Sequence, residues 1–193
     1  MYDAVCLASG GLDSTVCLRL LQDSGLRALP VYVNYGQRSH EREWAALITT
    51  CKVHRFAKPI RFNFSSFGRV IRSGLTDKRL RVKDDAFTPT RNLLFLALGA
   101  AVASSKGTRN IVIGLLAERT AIFPDQSDRF LRATEAALAE SLGSQIEIHC
   151  PLRDFTKRDV LNLARAKGLS GFYSCHSGTK VPCGKCIACL EYT

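Results

Sequence analysis

The chain has 193 residues, 46% hydrophobic and 23% charged, which suits one α/β domain with a real core plus a small appendage. Its formal charge of +10 favours anionic partners such as nucleotides, nucleic acid or an acidic surface. The longest apolar run, Leu93 to Ala103, is roughly half a membrane span, so it predicts a buried helix and no membrane partner. Met1-Tyr2-Asp3-Ala4 lacks the basic head of a secretion signal. A cytoplasmic protein is expected, with its eight cysteines as thiols or metal ligands rather than disulfides.

In chain order, Ala4 to Ala8 reads as a strand that breaks into Ser9-Gly10-Gly11-Leu12-Asp13-Ser14. A helix follows through Gln22, stopped at Gly25. Ala28 to Asn34 reads as a second buried strand and Tyr35 to Arg38 as a loop. Ser39 to about Cys51 predicts a helix with Trp44, Leu47, Ile48 and Cys51 at helical spacing. Pro59 to Phe64 predicts a third strand, and Ser65 to Ile71 is ambiguous. Arg72 to Phe87 has no clear period and reads as a long connection, functional or mobile. Pro89-Thr90-Arg91-Asn92 opens an apolar helix that ends near Lys106-Gly107. Asn110 to Gly114 is a strand. Pro124 to Leu142 is a helix with Phe130, Leu131, Ala133, Thr134, Ala137 and Leu138 inward, Ile146 to Cys150 a strand, and Thr156 to Lys167 a helix closed by Gly168. Strands alternating with helices in this rhythm imply right-handed βαβ units and a parallel sheet whose ligand sits beyond the strands' carboxyl ends.

The turn at Ser9 lies at that edge. A glycine turn into a helix start offers backbone N–H groups and a positive dipole end to a phosphate, and Ser9, Asp13 and Ser14 are short polar groups suited to capping or to reaching it. Gly10 and Gly11 are expected in backbone conformations closed to other residues. No lysine follows at P-loop spacing, the dinucleotide spacing Gly-x-Gly-x-x-Gly is absent, and Leu7 stands where a hydrolase elbow needs glycine.

Cys175, Cys183, Cys186 and Cys189 form C-x7-C-x2-C-x2-C, with Pro182 and Gly184 turning the chain between them. Four thiolates at this spacing suit a closed tetrahedral zinc that staples the C-terminal segment, with an iron–sulfur cluster as the rival. Residues 1–170 are expected as the nucleotide-binding domain and 171–193 as the metal segment packed on it. Cys6, Cys17, Cys51 and Cys150 lie in apolar contexts and read as small core residues. The basic stretch from Arg69 to Lys83, six cations facing only Asp77, reads as a solvated loop or as an acidic or nucleic-acid contact.

Ser-Gly-Gly-Leu-Asp-Ser-Thr resembles the pyrophosphate loop of the ATP pyrophosphatase (PP-loop) superfamily. Together with Tyr35-Gly36-Gln37-Arg38 and Glu41 or Glu43, Pro89 to Asn92, Phe123-Pro124-Asp125, Pro151-Leu152, Thr156-Lys157 and the cysteines, the chain resembles the 7-cyano-7-deazaguanine synthase family. The resemblance implies a Rossmann-like parallel sheet with helices on both faces, of the adenine nucleotide alpha-hydrolase type, plus the four-cysteine zinc motif. It implies that ATP, with Mg²⁺, adenylates the carboxylate of 7-carboxy-7-deazaguanine, that ammonia displaces AMP, and that the amide is activated again and dehydrated to the nitrile. Ala8, Ser9, Gly10, Gly11, Leu12, Asp13, Ser14 and Thr15 would hold the nucleotide, with Asp13 capping the loop or helping to hold magnesium. Ser9, Asp13, Arg91 and Lys157 would serve catalysis, the two cations neutralising phosphate charge. A homodimer is the expected assembly.

The chain departs from the family in two places. Phe123-Pro124-Asp125-Gln126-Ser127 replaces Tyr-Pro-Asp-Cys-Arg, and no arginine follows Cys189. A relative with the same ATP chemistry and another acceptor, such as a protein, a nucleic acid or a small carboxylate, is therefore the second reading. A non-catalytic nucleotide- or RNA-binding module is the third.

Overall fold

The computed structural model describes residues 1–82 and 84–191. Among them, five strands make one parallel sheet in the order β3-β2-β1-β4-β5. The strands are β1 (Ala4–Leu7), β2 (Ala28–Asn34), β3 (Ile60–Asn63), β4 (Asn110–Val112) and β5 (Glu147–His149). Every residue of β1 and β2 is buried. Helices on both faces demand this, which is why these strands read as continuous apolar runs and not as alternating ones.

Successive residues of β1 face opposite layers. Cys6 packs with Val16 of α1 (Leu12–Asp23), Leu47 and Cys51 of α2 (His40–Val53), and Val160 of α6 (Lys157–Ala166). Val5 and Leu7 pack on Leu96 and Ala100 of α4 (Arg91–Ser105) and on Leu131 and Leu138 of α5 (Asp128–Leu142). The short α3 (Ser65–Val70) resolves the ambiguous stretch as a helix, and α7 (Ile187–Leu190) closes the described chain. No helix among the described residues is long and apolar enough to cross a membrane.

Several expected boundaries move. The helix expected from Pro124 is broken: Pro124–Gln126 is a 3₁₀ turn, and Ser127 is extended. The Ser127 hydroxyl accepts the Phe130 N–H at 3.2 Å and so caps a new helix. Ala133 and Ala137 are exposed rather than inward, because Leu131, Thr134 and Leu138 already span the buried stripe. Ile48 is likewise 45% exposed, displaced from the inner face of α2 by Ala46 and Thr50.

The long connection is closed on itself. Gly74 N–H donates to Asp85 O at 2.7 Å, and the Ser73 and Thr88 hydroxyls meet at 2.7 Å. Arg38 N–H, at the entrance to α2, donates to Leu75 O at 2.8 Å. With its ends held together by these bonds, the described part of this segment is a closed loop. Strand order reverses at β1, which has β2 on one side and β4 on the other. The crevice at this reversal, beyond the carboxyl ends of β1 and β4, is where such sheets bind ligands.

Candidate active site

A cavity of about 330 Å³ fills that crevice. One end is the Ser9 turn. Gly10 has φ +76°, and a Cβ there would lie 2.4 Å from Glu43 O, so only glycine fits between the loop and α2. Gly11 departs from expectation: its φ of −83° is open to any residue. Closeness constrains it instead, since a Cβ would meet Ser9 Oγ at 3.2 Å. Gly11 O accepts the Ser14 and Thr15 hydroxyls at 3.1 and 2.8 Å, and the Gly11 N–H donates to Ser9 Oγ at 3.2 Å. These bonds tie the turn to α1, whose N-terminus has no side-chain cap. Gly11, Leu12, Asp13 and Ser14 at this helix start line the cavity, the kind of end at which backbone N–H groups meet anions in other proteins.

Asp13 does not cap the loop. Both of its oxygens accept from Lys157 Nζ at 3.0 Å, and Glu191 lies 3.1 Å from the same ammonium. Lys157 is placed by its helix start: Thr156 and Asp159 form a reciprocal capping box, with Thr156 N–H to Asp159 Oδ2 at 2.8 Å. Arg91 opens α4 after Thr90, which holds a left-handed φ of 60°. That conformation costs a threonine about 1–2 kcal/mol and marks the helix start as strained. The Arg91 guanidinium lies 5.9 Å from the centre of the Tyr35 ring, and its Nε is buried with no hydrogen-bond partner among the described residues.

Glu43, and not Glu41, belongs to the site. It lines the cavity and takes hydrogen bonds from Gln37 Nε2 (2.8 Å), Ser39 Oγ (2.5 Å) and Tyr32 OH (3.1 Å), whereas the Glu41 side chain is 74% exposed. Burial, then the Glu43 carboxylate, pushes the Tyr32 hydroxyl far above its ordinary range, so it stays a donor.

The other end is assembled from distant segments. Phe123 lines the cavity and packs on Phe87 of the closed loop, with ring centres 5.2 Å apart. Gln126 Oε1 accepts the N–H groups of Ile122 and Phe123 at 2.8 and 3.0 Å and so holds that turn. Asp125 is 7% exposed, its backbone O accepts from cavity-lining Asn92 at 3.0 Å, and neither carboxylate oxygen has a partner among the described residues. Arg153 clamps the segment from behind, donating to Leu116 O and Gln126 O at 2.9 Å each and pairing with Asp128. Sequence reasoning quoted Asp125 only as part of the Phe-Pro-Asp piece, without a role of its own, and missed Arg153 entirely; Asp125 does not itself line the cavity. The Phe-Pro-Asp turn was the available signal for the first, and nothing in the sequence marks the second.

The four cysteines converge: their sulfurs all lie within 4.8 Å of one another, a group able to hold a metal ion. Burial raises the Cys183 thiol, but hydrogen bonds from the Ser177 side chain and the Lys185 and Cys186 N–H groups outweigh it and bring it to about 6. The segment is a wall of the cavity. Tyr173 N–H donates to Gly10 O at 2.9 Å, and Ile187, Ala188 and Glu191 line the space. His176 also lines it, held neutral by burial and then by Arg91 and Lys157, which bring it down to about 4. The other cysteines are core residues. Burial pushes Cys6 up to about 12 and Cys51 and Cys150 up to about 11, which leaves no thiolate for nucleophilic work.

All eight residues from Ala8 to Thr15 therefore sit on the β1–α1 corner, and Arg91 and Lys157 join Ser9, Asp13 and Ser14 along one cavity. The basic stretch is only partly at the site. Leu75 and Ala86 of the closed loop line the cavity, while Arg72, Arg79 and Arg81 have side chains 61%, 73% and 85% exposed, and Arg79 pairs with Asp77 at 2.9 Å. Lys83 lies outside the described residues.

Sheet order, glycine corner and four-cysteine wall define the class: an α/β protein with one parallel sheet, a glycine turn at its ligand crevice and a cysteine-rich wall beside it. The fold is similar to the U34-tRNA thiolase NcsA of Methanococcus maripaludis with its [4Fe-4S] cluster (TM-score 0.59, 17% identity, 100% of this chain and 64% of that one). It is also similar to a 4-thiouridine synthetase in complex with RNA and ATP (TM-score 0.58, 18% identity, 86% of this chain and 41% of that one). Within that class the chain belongs to the queuosine biosynthesis protein QueC family, whose model matches residues 3–192. It is 33% identical to the 7-cyano-7-deazaguanine synthase of Picrophilus torridus over 98% of this chain and 85% of that one. The corresponding values are 32%, 97% and 86% for the Laribacter hongkongensis synthase, and 28%, 98% and 91% for that of Campylobacter concisus.

Proposed function

We propose that the protein is an ATP-dependent carbon–nitrogen ligase that makes 7-cyano-7-deazaguanine from 7-carboxy-7-deazaguanine and ammonia. One observation carries the reading. A single cavity joins the helix start at Gly11 to an aromatic end at Phe123, and the buried Asp125 carboxylate, with no partner among the described residues, lies behind that end rather than on the cavity lining. A guanine-type base presents two adjacent N–H donors, and the Asp125 carboxylate, once turned toward the cavity, would be the acceptor that such an edge seeks. Phe123 offers the ring face on which that base would stack.

Chemistry would proceed between the two ends. The substrate carboxylate oxygen attacks the α phosphate, the α–β bond breaks, and pyrophosphate leaves on the Ser9 turn. The N–H groups of α1 and the cation of Lys157 would balance the charge developing on it, with Arg91 facing the adenylate. Ammonia then displaces AMP to give the amide. A second adenylation of the amide oxygen allows loss of AMP and closure to the nitrile. Mg²⁺ would arrive with the nucleotide and offset the charge of its β and γ oxygens.

Zinc is our assignment for the four-cysteine group. One ion about 2.3 Å from each sulfur sets the sulfurs roughly 3.8 Å apart, close to the 3.9 Å between Cys183 and Cys189. A four-iron cluster puts each thiolate on a different iron and needs a wider cage. On this reading residues 1–170 form the catalytic domain and 171–193 the metal segment, in a cytoplasmic enzyme that acts as a homodimer.

A second reading keeps the ATP chemistry and changes the acceptor. The Phe123–Ser127 substitutions and the basic loop beside the cavity favour it, and an RNA acceptor would match the neighbour solved with RNA and ATP. Exchange of pyrophosphate into ATP decides. Exchange that requires 7-carboxy-7-deazaguanine is the expected result, whereas exchange that requires RNA or a protein would replace the first reading with the second. Metal analysis should give about one zinc per chain.

A further inference from the structure

Glu191 follows the metal segment, yet its carboxylate lies 3.1 Å from Lys157 Nζ at the pyrophosphate end of the cavity. Lys157 is thereby held between two carboxylates, Asp13 and Glu191, with its own side chain only 16% exposed. Two carboxylates thus meet the ammonium at the place where a nucleotide must put its most charged groups. The two carboxylates are not equally anchored. Asp13 stands on the first turn of the twelve-residue α1, whereas Glu191 trails the four-residue α7 and its side chain is 33% exposed.

We infer that Glu191 is a positioning residue that stands in for a phosphate oxygen: it fixes Lys157 at the loop and yields the ammonium when phosphates arrive. This rests on the reading of the cavity as an ATP site. Glu191 competes with the nucleotide for one cation, so it lowers affinity while keeping Lys157 in place. Because Glu191 is two residues beyond Cys189, the metal segment carries this competitor into the cavity along with Ile187 and Ala188. The four-cysteine group is thus coupled to the phosphate end through a side chain as well as through the wall it builds.

The test uses the full-length, metal-loaded chain and measures equilibrium binding of ATP and of inorganic pyrophosphate, with the KM for ATP and kcat of exchange read alongside. Glu191→Gln should bind both ligands about 3- to 10-fold more tightly, the size expected for removing one charge from a partly screened site. Its metal content and melting temperature should be unchanged, and KM should fall while kcat holds. Glu191→Asp keeps the charge but is one methylene short, so it should fall between wild type and Gln. Glu140→Gln, an exposed charge on α5, controls for net charge and should bind like wild type. Affinity that stays level or weakens in Glu191→Gln overturns the proposal, as does loss of metal from that variant, which would report a structural role. If wild type binds neither ligand, the ATP reading falls as well. If wild type binds and Glu191→Gln binds no better, only the role of Glu191 is lost.

Discussion

The two ends of the cavity are built in opposite ways. The phosphate end is local: eight consecutive residues, Ala8 to Thr15, make the strand end, the turn and the helix start. The far end is composite, drawing Phe87 from the closed loop, Asn92 from α4, Phe123 to Gln126 from a 3₁₀ turn, and Arg153 from behind to clamp them. A local end binds through backbone groups whose geometry follows from the chain's own turn. A composite end binds through side chains whose positions depend on loop closure and packing. On the proposed function the first would serve a ligand group common to many reactions, and the second could change its acceptor without disturbing the first.

That contrast can be broken experimentally, beginning with the largest effect. Gly10→Ala puts a methyl group against Glu43 O in a left-handed conformation. It should cost about 3 kcal/mol or more in denaturant unfolding and lower ATP affinity about 100-fold or more. Cys186→Ser should abolish metal binding and cost about 3 kcal/mol or more of stability, read by metal analysis and melting. Because the same segment walls the phosphate end, ATP affinity should fall with it.

Asp125→Asn addresses the composite end. Neutralising an unpartnered buried carboxylate should raise stability by about 1 kcal/mol or more, while the KM for the acceptor rises about 10- to 100-fold. The KM for ATP should stay unchanged, and a matching change there would show that the two ends are not separable. Phe87→Ala, which removes the ring behind Phe123, should raise the acceptor KM about 3- to 10-fold. Arg81→Ala, with an exposed side chain, should shift stability by about 0.5 kcal/mol or less and leave exchange with a small acceptor unaltered. Loss of RNA- or protein-dependent exchange in Arg81→Ala, with small-acceptor exchange absent in wild type, would favour a macromolecular acceptor.

Legibility followed the same division. The strand–turn–helix at Ser9, the buried β1 and β2, the helix start at Thr156 and the C-x7-C-x2-C-x2-C spacing are short-range patterns, and each lands where its sequence indicates. Pro124 to Leu142 misled because its helical periodicity runs through Ser127, whose hydroxyl prefers to cap the helix that begins after it. Ala133 and Ala137 misled because alanine sits as readily outside as inside and carries no directional signal. The closure of residues 72–88 was invisible, since it rests on Ser73 meeting Thr88 and Arg38 meeting Leu75, contacts between residues without any pattern.

By itself the sequence determined the parallel α/β sheet, the strand–glycine–helix corner and the convergence of four thiols, because each depends on residues close together along the chain. Tertiary structure decided which charges meet. It paired Lys157 with Asp13 across 144 positions, chose Glu43 over Glu41, left the Asp125 carboxylate without a partner among the described residues, and brought Glu191 from beyond the cysteines to the ammonium of Lys157. Electrostatic and packing partners are set by distance in space. Separation along the chain does not encode that distance until the sheet has folded.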